Sequence, residues 1–445
     1  MSIRRSKESF FSSGGKTRKS RIVGLVLLAV LVALIVLFLM VRSVILAAML
    51  SNYYPQHWIQ YGLTRSHAAS WFRTSLNYRW TYPLKSMSHG GGAIVNGSYF
   101  IGDDSGRVTS MDMATGRSNW VTHVASNNIM TVPLVFQGKV YVGVGNHNFK
   151  PGDTVRGTGV NEIVALSQKT GRILWTFPTP GEDMPTFVLH RKVLYALGGD
   201  GVFRALNPVN GQLLWSLKLG GVCSMSSPVV VNDLFFAGMS NPYRTVAVNT
   251  KTHGLAFQTP FPKASAAVDD ASIAYGGGMV YQQWVEQKPG SPTYRRQAMS
   301  AINIHNGQVL WTYYEPYGTK LTSEEYEAAP PVFNNGVLYF GSSYQKMLHA
   351  VDVPTGRPLW TLPLKAAANE TPVVTDNAVV IGDIQGNLYV VDKLNGKVMS
   401  LQSYPGQMFL NAEAVFCNGV FYAPMSSVGQ GTANQSFVRA TPISN

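Results

Sequence analysis

The chain has 445 residues, of which 45% are hydrophobic and only 13% are Asp, Glu, Lys or Arg. This apolar content is enough to bury a large core, and the charged fraction is about half of that of an average soluble protein. The formal net charge is +13. Beyond the N-terminal tail, however, no basic stripe with interleaved aromatic residues occurs, which argues against a nucleic-acid partner.

The N-terminal tail, residues 1–21, holds seven of the 36 cationic residues against one acidic residue. Twenty consecutive apolar residues follow at Ile22–Val41, and a second apolar run reaches Leu50. Twenty helical residues cross a hydrocarbon layer of ~30 Å, whereas a cleaved signal has roughly 7–15 apolar residues. The pattern predicts a single transmembrane signal anchor at 22–50 in the inner membrane, with the tail in the cytoplasm and the rest in the periplasm. A long cleaved signal ending near Ala47–Ser51 is the alternative.

Residues 51–75 read as a polar and aromatic connector, and strand-like segments begin after it. Within them an eleven-residue phrase recurs seven times, most clearly as AVDVPTGRPLW at Ala350–Trp360. A small residue opens the phrase, Asp or Asn is usually third, a Gly turn follows, and Trp closes it. An apolar strand, a Gly turn and a second strand with a large aromatic are typical of a hairpin.

The copies share this turn and closing aromatic with two exceptions. His253 replaces the Gly in the fourth copy, so we expect that turn to be strained or differently shaped, and the seventh copy has lost its aromatic. The copies lie at Ser110–Trp120, Ala165–Trp175, Ala205–Trp215, Ala247–Phe257, Ala301–Trp311, Ala350–Trp360 and Val390–Ser400. The intact structural pairs are Gly116 and Trp120, Gly171 and Trp175, Gly211 and Trp215, Gly307 and Trp311, and Gly356 and Trp360.

Successive turns lie 40 to 55 residues apart, a period typical of propeller blades. A strand with an anchor residue occurs eight times, one more than the phrase. The anchor is aromatic in seven of the eight strands and Val in the other, at Phe100, Tyr141, Tyr195, Phe236, Tyr281, Tyr339, Val380 and Tyr422. The last repeat has no closing strand, while Asn77–Trp80 has no repeat of its own. We therefore predict an all-β, eight-bladed propeller of four-stranded blades over residues 76–445, closed by pairing the chain start with the final sheet.

Two expectations follow from this assignment of the blades. The longer spacings predict insertions at His147–Gly159 and Glu286–Arg296, which we expect to be loops on one face. Cys223 and Cys417 fall in opposite blades, too far apart for a disulfide, whose Cα atoms must approach within ~7 Å. We expect two buried thiols.

The phrase with Ala first, Asp or Asn third, Gly seventh and Trp eleventh resembles the docking motif of the pyrroloquinoline-quinone-like eight-bladed propellers. That family includes quinoprotein dehydrogenases, the propeller lipoprotein of the outer-membrane barrel-assembly machinery, and tetrathionate hydrolases. The resemblance implies the fold, and the function has to be argued from the site.

Carboxylates are concentrated just ahead of the inner strands, which in a propeller start near the central channel. The four residues before each inner strand, 32 positions in all, contain six acidic residues and no Lys or Arg. This predicts an acidic ring at the channel mouth that binds a cation or supplies a general acid of raised pKa. The alternative is that the carboxylates accept hydrogen bonds at strand ends. They are Asp183, Asp269, Asp270, Glu327, Glu370 and Glu413.

A second set of channel residues is found three positions before the inner strands. It places three methionines in consecutive blades beside a histidine, which is typical of a soft Cu(I) site or, alternatively, of an apolar channel plug. The set comprises His89, Met130, Met184, Met225, Asp270, Ala328, Asn369 and Asn411.

Three functions compete. A non-catalytic scaffold of the cell envelope that binds a protein or ligand through its loops, with envelope proteins as partners, is the leading hypothesis. A tetrathionate hydrolase-like enzyme is the second, and it needs a channel Asp, for which Asp269 or Asp270 is the candidate. The low charge content suits folding in acid, where ion pairs lose their value.

The third hypothesis is a quinoprotein dehydrogenase. The resemblance implies pyrroloquinoline quinone and a calcium ion held by Glu, Asn and Asp, with a stacking Trp beneath the quinone. Asp183 and Asp270 stand roughly where that pattern has carboxylates. The sequence departs from the pattern because Cys223-Ser224-Met225 replaces the expected Asn and the vicinal cysteines are missing. No cofactor is therefore assigned.

Overall fold

The computed structural model describes residues 79–149, 154–291, 293–318, 330–410, 412–427 and 435–443. In these residues 34 strands form eight antiparallel sheets, which confirms the predicted all-β propeller of eight four-stranded blades. The predicted tail, the anchor at 22–50 and the connector at 51–75 lie outside the described residues. Within the described ranges, no helix has the length and apolar character needed to traverse a bilayer.

The first four blades each use four consecutive strands after a lone first strand, β1 (Trp80–Pro83). Blade 1 has β2 (Gly92–Val95), β3 (Ser98–Asp103), β4 (Arg107–Asp112) and β5 (Ser118–His123). Blade 2 has β6 (Leu134–Phe136), β7 (Lys139–Val144), β8 (Glu162–Ser167) and β9 (Ile173–Pro178). Blade 3 has β10 (Val188–His190), β11 (Val193–Leu197), β12 (Val202–Leu206) and β13 (Leu213–Lys218). Blade 4 has β14 (Val229–Val231), β15 (Leu234–Met239), β16 (Arg244–Asn249) and β17 (Gly254–Pro260).

In blades 5 and 8 two short strands share one partner strand. Blade 5 has β18 (Ala264–Ala266), β19 (Ala274–Gly276), β20 (Met279–Gln287), β21 (Arg295–Asn303) and β22 (Val309–Tyr314). Blade 6 has β23 (Val332–Asn334), β24 (Val337–Gly341), β25 (Met347–Asp352) and β26 (Arg357–Pro363). Blade 7 has β27 (Val373–Val374), β28 (Ala378–Gly382), β29 (Asn387–Asp392) and β30 (Val398–Ser403). Blade 8 has β31 (Gln407–Phe409), β32 (Val415–Cys417), β33 (Val420–Ser427), β34 (Ser436–Pro442) and β1.

The recurring phrase is the third strand, the turn and the fourth strand of a blade. Its first residue pairs directly with its last, as Ala350 does with Trp360, and the register shifts at the next residue. The same irregularity follows the first residue of all seven copies. A small first residue leaves room for the aromatic ring on the facing strand, and the bulge twists the blade edge toward its neighbour.

In the six copies that keep it, the turn Gly lets the aromatic ring of the preceding blade pack closely. Gly356 has φ +66°, and a Cβ there would lie 2.7 Å from Cδ2 of Trp311 in the preceding blade. The indole Nε1 of Trp311 donates a hydrogen bond to the carbonyl oxygen of Val353 at 2.9 Å. The Gly-and-Trp pattern therefore joins two blades, with the Trp of one blade seated on the turn of the next.

His253 keeps the shape of this turn without a glycine. Its φ is +60°, and its amide donates to Asn249 O at 2.9 Å as the Gly356 amide does to Asp352 O at 2.8 Å. Its imidazole stacks on Trp215 of the preceding blade, with ring centroids 4.3 Å apart. Of the two expected outcomes, the turn keeps its shape and is strained, because a residue with a Cβ adopts a left-handed φ there. A stacked ring replaces the close Gly–Trp contact.

The predicted closure of the ring is confirmed. Trp80 in β1 pairs with Ala440 in β34, and its indole Nε1 donates to Met113 O in blade 1 at 2.8 Å. A Cβ on Gly116 would lie 2.6 Å from Trp80 Cδ2. The final joint thus uses the same docking contact as the other Gly turns, and β1 supplies the outer strand of the closing sheet.

The two insertions differ in structure. The prediction of a loop at Glu286–Arg296 is wrong, because β20 and β21 extend to nine residues each and Glu286 pairs with Arg296. Opposite charges on facing strands favour this longer hairpin, and Arg296 Nε lies 2.7 Å from Glu286 Oε2. In the other insertion, the described residues form one isolated bridge between Phe149 and Arg156.

The core lies between neighbouring blades. The eight anchors of the second strands are all buried, and each apolar cluster draws on adjacent sheets, such as blades 1 and 2 or blades 3 and 4. Cys223 and Cys417 are buried and form no disulfide, as expected. The blades are therefore held to one another by apolar contact and by the docked aromatic rings.

Candidate functional site

A pocket of about 470 Å³, part of it open to solvent, lies on the propeller axis. All eight blades line it, with residues that lead into their inner strands, so it is the point where the blades converge. The lining residues are His89, Gly90, Met130, Val132, Met184, Thr186, Met225, Ser227, Asp270, Ser272, Pro330, Thr371, Ala412 and Glu413.

Side chains reach the pocket mostly from every second residue. Met225 and Ser227 line it, as do Asp270 and Ser272. Asp269 and Asp270 lie in a turn, in which the Ala271 amide donates to the Ala267 carbonyl oxygen at 2.9 Å. Asp269 does not line the pocket and is 6% exposed. The turn therefore separates two residues that are adjacent in the sequence.

The predicted carboxylates accordingly occupy two environments. Asp270 and Glu413 line the pocket, although Glu413 is only 2% exposed, whereas Asp183, Asp269 and Glu370 are buried and do not line it. Each of the three buried carboxylates accepts a hydrogen bond: Asp183 from the Thr179 hydroxyl, Asp269 from the Ser240 hydroxyl at 2.6 Å, and Glu370 from the Gly382 amide. Glu327 lies outside the described residues.

Burial raises the pKa of the three inward carboxyls. It raises the pKa of Asp183 to about 7 and that of Glu370 to about 8, since the charged form loses its water. Burial, together with the charge of Asp270, raises the pKa of Asp269 to about 7. Asp269, directly behind the pocket residue Asp270, therefore takes up a proton near neutral pH.

The predicted methionine set is largely brought together. His89, Met130, Met184, Met225 and Asp270 line the pocket from five consecutive blades. Asn369 does not line it, and its Oδ1 accepts a hydrogen bond from the Ser343 hydroxyl. Ala328 and Asn411 lie outside the described residues.

Two charged residues near the pocket were not predicted. Arg156 lies with its guanidinium NH1 3.9 Å from Asp270 Oδ1 and its Nε 3.7 Å from Glu182 Oε1. Glu182 is fully buried, and burial raises its pKa well above the ordinary value although Arg156 opposes the shift. Glu182 sits one position outside the sequence window that held the other carboxylates.

Arg156 comes from the blade 2 insertion and is held over blade 3 by its backbone. Its amide donates to Gly199 O at 3.0 Å, and its own carbonyl accepts from the Glu182 amide at 2.9 Å. The position of the insertion was the only signal in the sequence, because neither spacing nor composition assigns Arg156 to the channel.

The pocket residues do not fit pyrroloquinoline quinone with calcium. No Phe, Tyr or Trp is among the described lining residues, so no ring is present to stack on a planar quinone. The lining offers two carboxylates and no Asn, and the described residues contain no group of three or more His, Cys, Asp or Glu arranged to hold an ion. We derive no step through this cofactor.

The eight docked blades and the axial pocket define a β-propeller of the pyrroloquinoline-quinone-like repeat class. The family model described as outer membrane protein assembly factor BamB matches residues 145–275 and 295–400, more than half of the chain. The chain belongs to this family.

The chain is similar in sequence to two kinds of individual protein and similar in fold to a third. The chain is 27% identical to a tetrathionate hydrolase of Acidithiobacillus ferrooxidans over 355 residues, covering 74% of this chain and 70% of that protein. It is 23% identical to BamB of Yersinia pestis over 332 residues, or 72% and 77% of the two chains. A quinohemoprotein alcohol dehydrogenase from Comamonas testosteroni matches with TM-score 0.64 and 12% identity over 88% of this chain and 81% of its own. The last likeness shows the fold alone.

Proposed function

We propose that this propeller is an extracytoplasmic enzyme that hydrolyses a sulfur–sulfur bond of a small polythionate in the axial pocket. The observation that carries the proposal is Asp270, whose carboxylate lines the pocket beside the cation of Arg156. The 27% identity to a tetrathionate hydrolase supports the substrate class.

The residues around Asp270 suit this chemistry. A polythionate is a dianion, and Arg156 supplies a positive charge next to the reacting carboxylate. Asp269, whose pKa of about 7 lets it bind a proton in mild acid, then adds no second negative charge behind the pocket. A protonated Asp269 therefore makes the pocket more receptive to an anion.

The proposed step balances without an oxidant. The oxygen of a water molecule bonds to a terminal sulfonate sulfur while Asp270 accepts a proton from that water. The bond between this sulfur and the sulfane chain breaks, and its electron pair leaves with the sulfane fragment. Asp270 then gives the proton to the leaving sulfur, so the products are hydrogen sulfate and a sulfane thiol.

Asp270→Asn is expected to lower polythionate hydrolysis by about 10²–10⁴-fold, because an amide cannot relay the proton. The Asp270 side chain is 33% exposed and lies 3.9 Å from Arg156, which is a long separation for an ion pair. Its replacement is therefore expected to change the free energy of unfolding by under ~1 kcal/mol. Product sulfate and the melting temperature are measured together. Asp376→Asn, at an exposed turn, is the matched control and keeps full activity. Equal activity in Asp270→Asn and the parent protein contradicts the assignment.

The proposal also keeps the segment at 22–50 as an inner-membrane anchor that holds the propeller in the periplasm. Its support is the charge asymmetry around the apolar run and the family description, which names an outer membrane protein assembly factor.

A protein-binding scaffold is the second candidate, and exposed apolar side chains favour it. In four blades two neighbouring residues ahead of the docking position are apolar and each is at least 37% exposed. Repeated exposed apolar positions are typical of protein contact surfaces. They are Ile173 and Leu174, Leu213 and Leu214, Val309 and Leu310, and Val398 and Met399.

Photo-crosslinking in the native cell separates the two candidates. A photoreactive residue at Leu214 or Leu310 is expected to give one discrete adduct with an envelope protein if the outer strands dock a partner. The same residue at Lys169, an exposed polar turn position, is the control and gives none. Identical patterns at all three positions would count against the scaffold.

A further inference from the structure

Three methionines from consecutive blades line the axial pocket. Met130, Met184 and Met225 occupy the same repeat position in blades 2, 3 and 4 and line one cavity. His89 of blade 1 and Asp270 of blade 5 continue the same arc on either side. The repeat therefore presents an unbroken row of five side chains that bear sulfur, nitrogen or oxygen donors.

These methionines differ from the others in the described core. Met111, Met239 and Met299 are fully buried within apolar clusters, where they fill space between blades. The three axial methionines border the pocket, although Met184 and Met130 are only 2% and 7% exposed. The same pocket is lined by the carboxylates of Glu413 and of Asp270, and Arg156 lies 3.9 Å from the latter. An apolar plug has no need of carboxylate neighbours, whereas a bound cation is stabilised by them.

His89 is oriented in the way that metal-binding histidines are. Its Nδ1 lies 3.0 Å from Asp104 Oδ2, and a carboxylate at this distance favours the tautomer with the proton on Nδ1. The ring lone pair is then on Nε2. Metal-ligating histidines commonly have a carboxylate of this kind at their second nitrogen.

We propose that the axial pocket binds one Cu(I) ion through the thioethers of Met130, Met184 and Met225 and through Nε2 of His89. Thioether and imidazole donors select a soft monovalent ion over calcium or magnesium. The carboxylate of Glu413 offsets the charge of the ion, whereas that of Asp270 already has Arg156 3.9 Å away. This site goes beyond the proposed hydrolysis and is tested by binding alone.

The test uses the full chain under anaerobic, reducing conditions with Cu(I) in competition with a colorimetric Cu(I) chelator. The parent protein is expected to withhold one equivalent of Cu(I). The triple variant Met130→Leu, Met184→Leu and Met225→Leu is expected to withhold none, and the near-equal volume of Leu preserves the fold. Asp104→Asn, which alters the orientation of His89, is expected to weaken binding about 10–100-fold.

The matched control is a second triple variant, Met111→Leu, Met239→Leu and Met299→Leu, which is expected to bind as the parent does. Melting curves verify that each variant is folded. No Cu(I) retention by the parent, or equal retention by the axial variant, overturns the site. Loss of binding only in Cys223→Ser or Cys417→Ser also overturns it, because the ion would then be held by a thiol.

Discussion

Replacing Gly356 by alanine is expected to lower the free energy of unfolding by about 3 kcal/mol. Alanine in a left-handed conformation costs roughly 1–2 kcal/mol, and Gly356 has φ +66°. The added Cβ would also lie 2.7 Å from the Trp311 ring, and such overpacking costs roughly 1–3 kcal/mol. To relieve the clash, Trp311 has to move and give up its hydrogen bond to Val353. Urea unfolding followed by tryptophan fluorescence measures the change.

Gly336→Ala in the same blade is the matched control for this prediction. Gly336 has φ +81°, but a Cβ there meets nothing within 4 Å. Its substitution is therefore expected to show only the backbone cost, about 1–2 kcal/mol. Equal losses in the two variants would show that the contact between blades contributes nothing.

The melting temperature is expected to rise as the pH is lowered from about 8 to about 5. Burial raises the pKa of Glu370 to about 8 and, with the charge of Asp270, that of Asp269 to about 7, whereas unfolded carboxyls titrate near ~4. The folded state therefore binds these protons more tightly. The stabilisation is complete below the unfolded pKa and is lost as the pH rises through 7 and 8, with a total on the order of a few kcal/mol.

A carboxyl whose pKa is lowered in the folded state affects stability at a pH below the range of 5 to 8. The imidazole of His190 lowers the pKa of Asp233 below 3.8, so any stability it adds is lost only in stronger acid. Glu370→Gln is expected to flatten the profile between pH 5 and 8, because the amide oxygen still accepts from Gly382 and carries no charge. Asp376→Asn is the control and should keep the parent slope. A parent melting temperature that falls toward pH 5 contradicts the prediction.

The fold was predictable because its information is local and repeated. Each Gly turn and closing aromatic, such as Gly356 and Trp360, specifies a hairpin within eleven residues, and the repeat period specifies a ring of blades. The closure was predictable for the same reason. The segment that ends at Trp80 resembles a closing strand but belongs to no repeat of its own, and the last repeat has no closing strand.

The hairpin at Glu286–Arg296 was missed for a different reason. Its charged and proline-containing sequence has no strand pattern, yet the facing Glu286 and Arg296 allow the ladder to continue. Pairing between two segments is not visible in the composition of either one.

The sequence by itself determined the class of fold, the number of blades and the residue types that lead to the axis. Only the tertiary structure decided that Asp270 lines the pocket while Asp269 is buried, because both residues lie in a turn whose shape the repeat pattern does not specify. It also decided that Arg156 reaches Asp270, since an irregular insertion is positioned by contacts with blade 3 that no periodicity encodes.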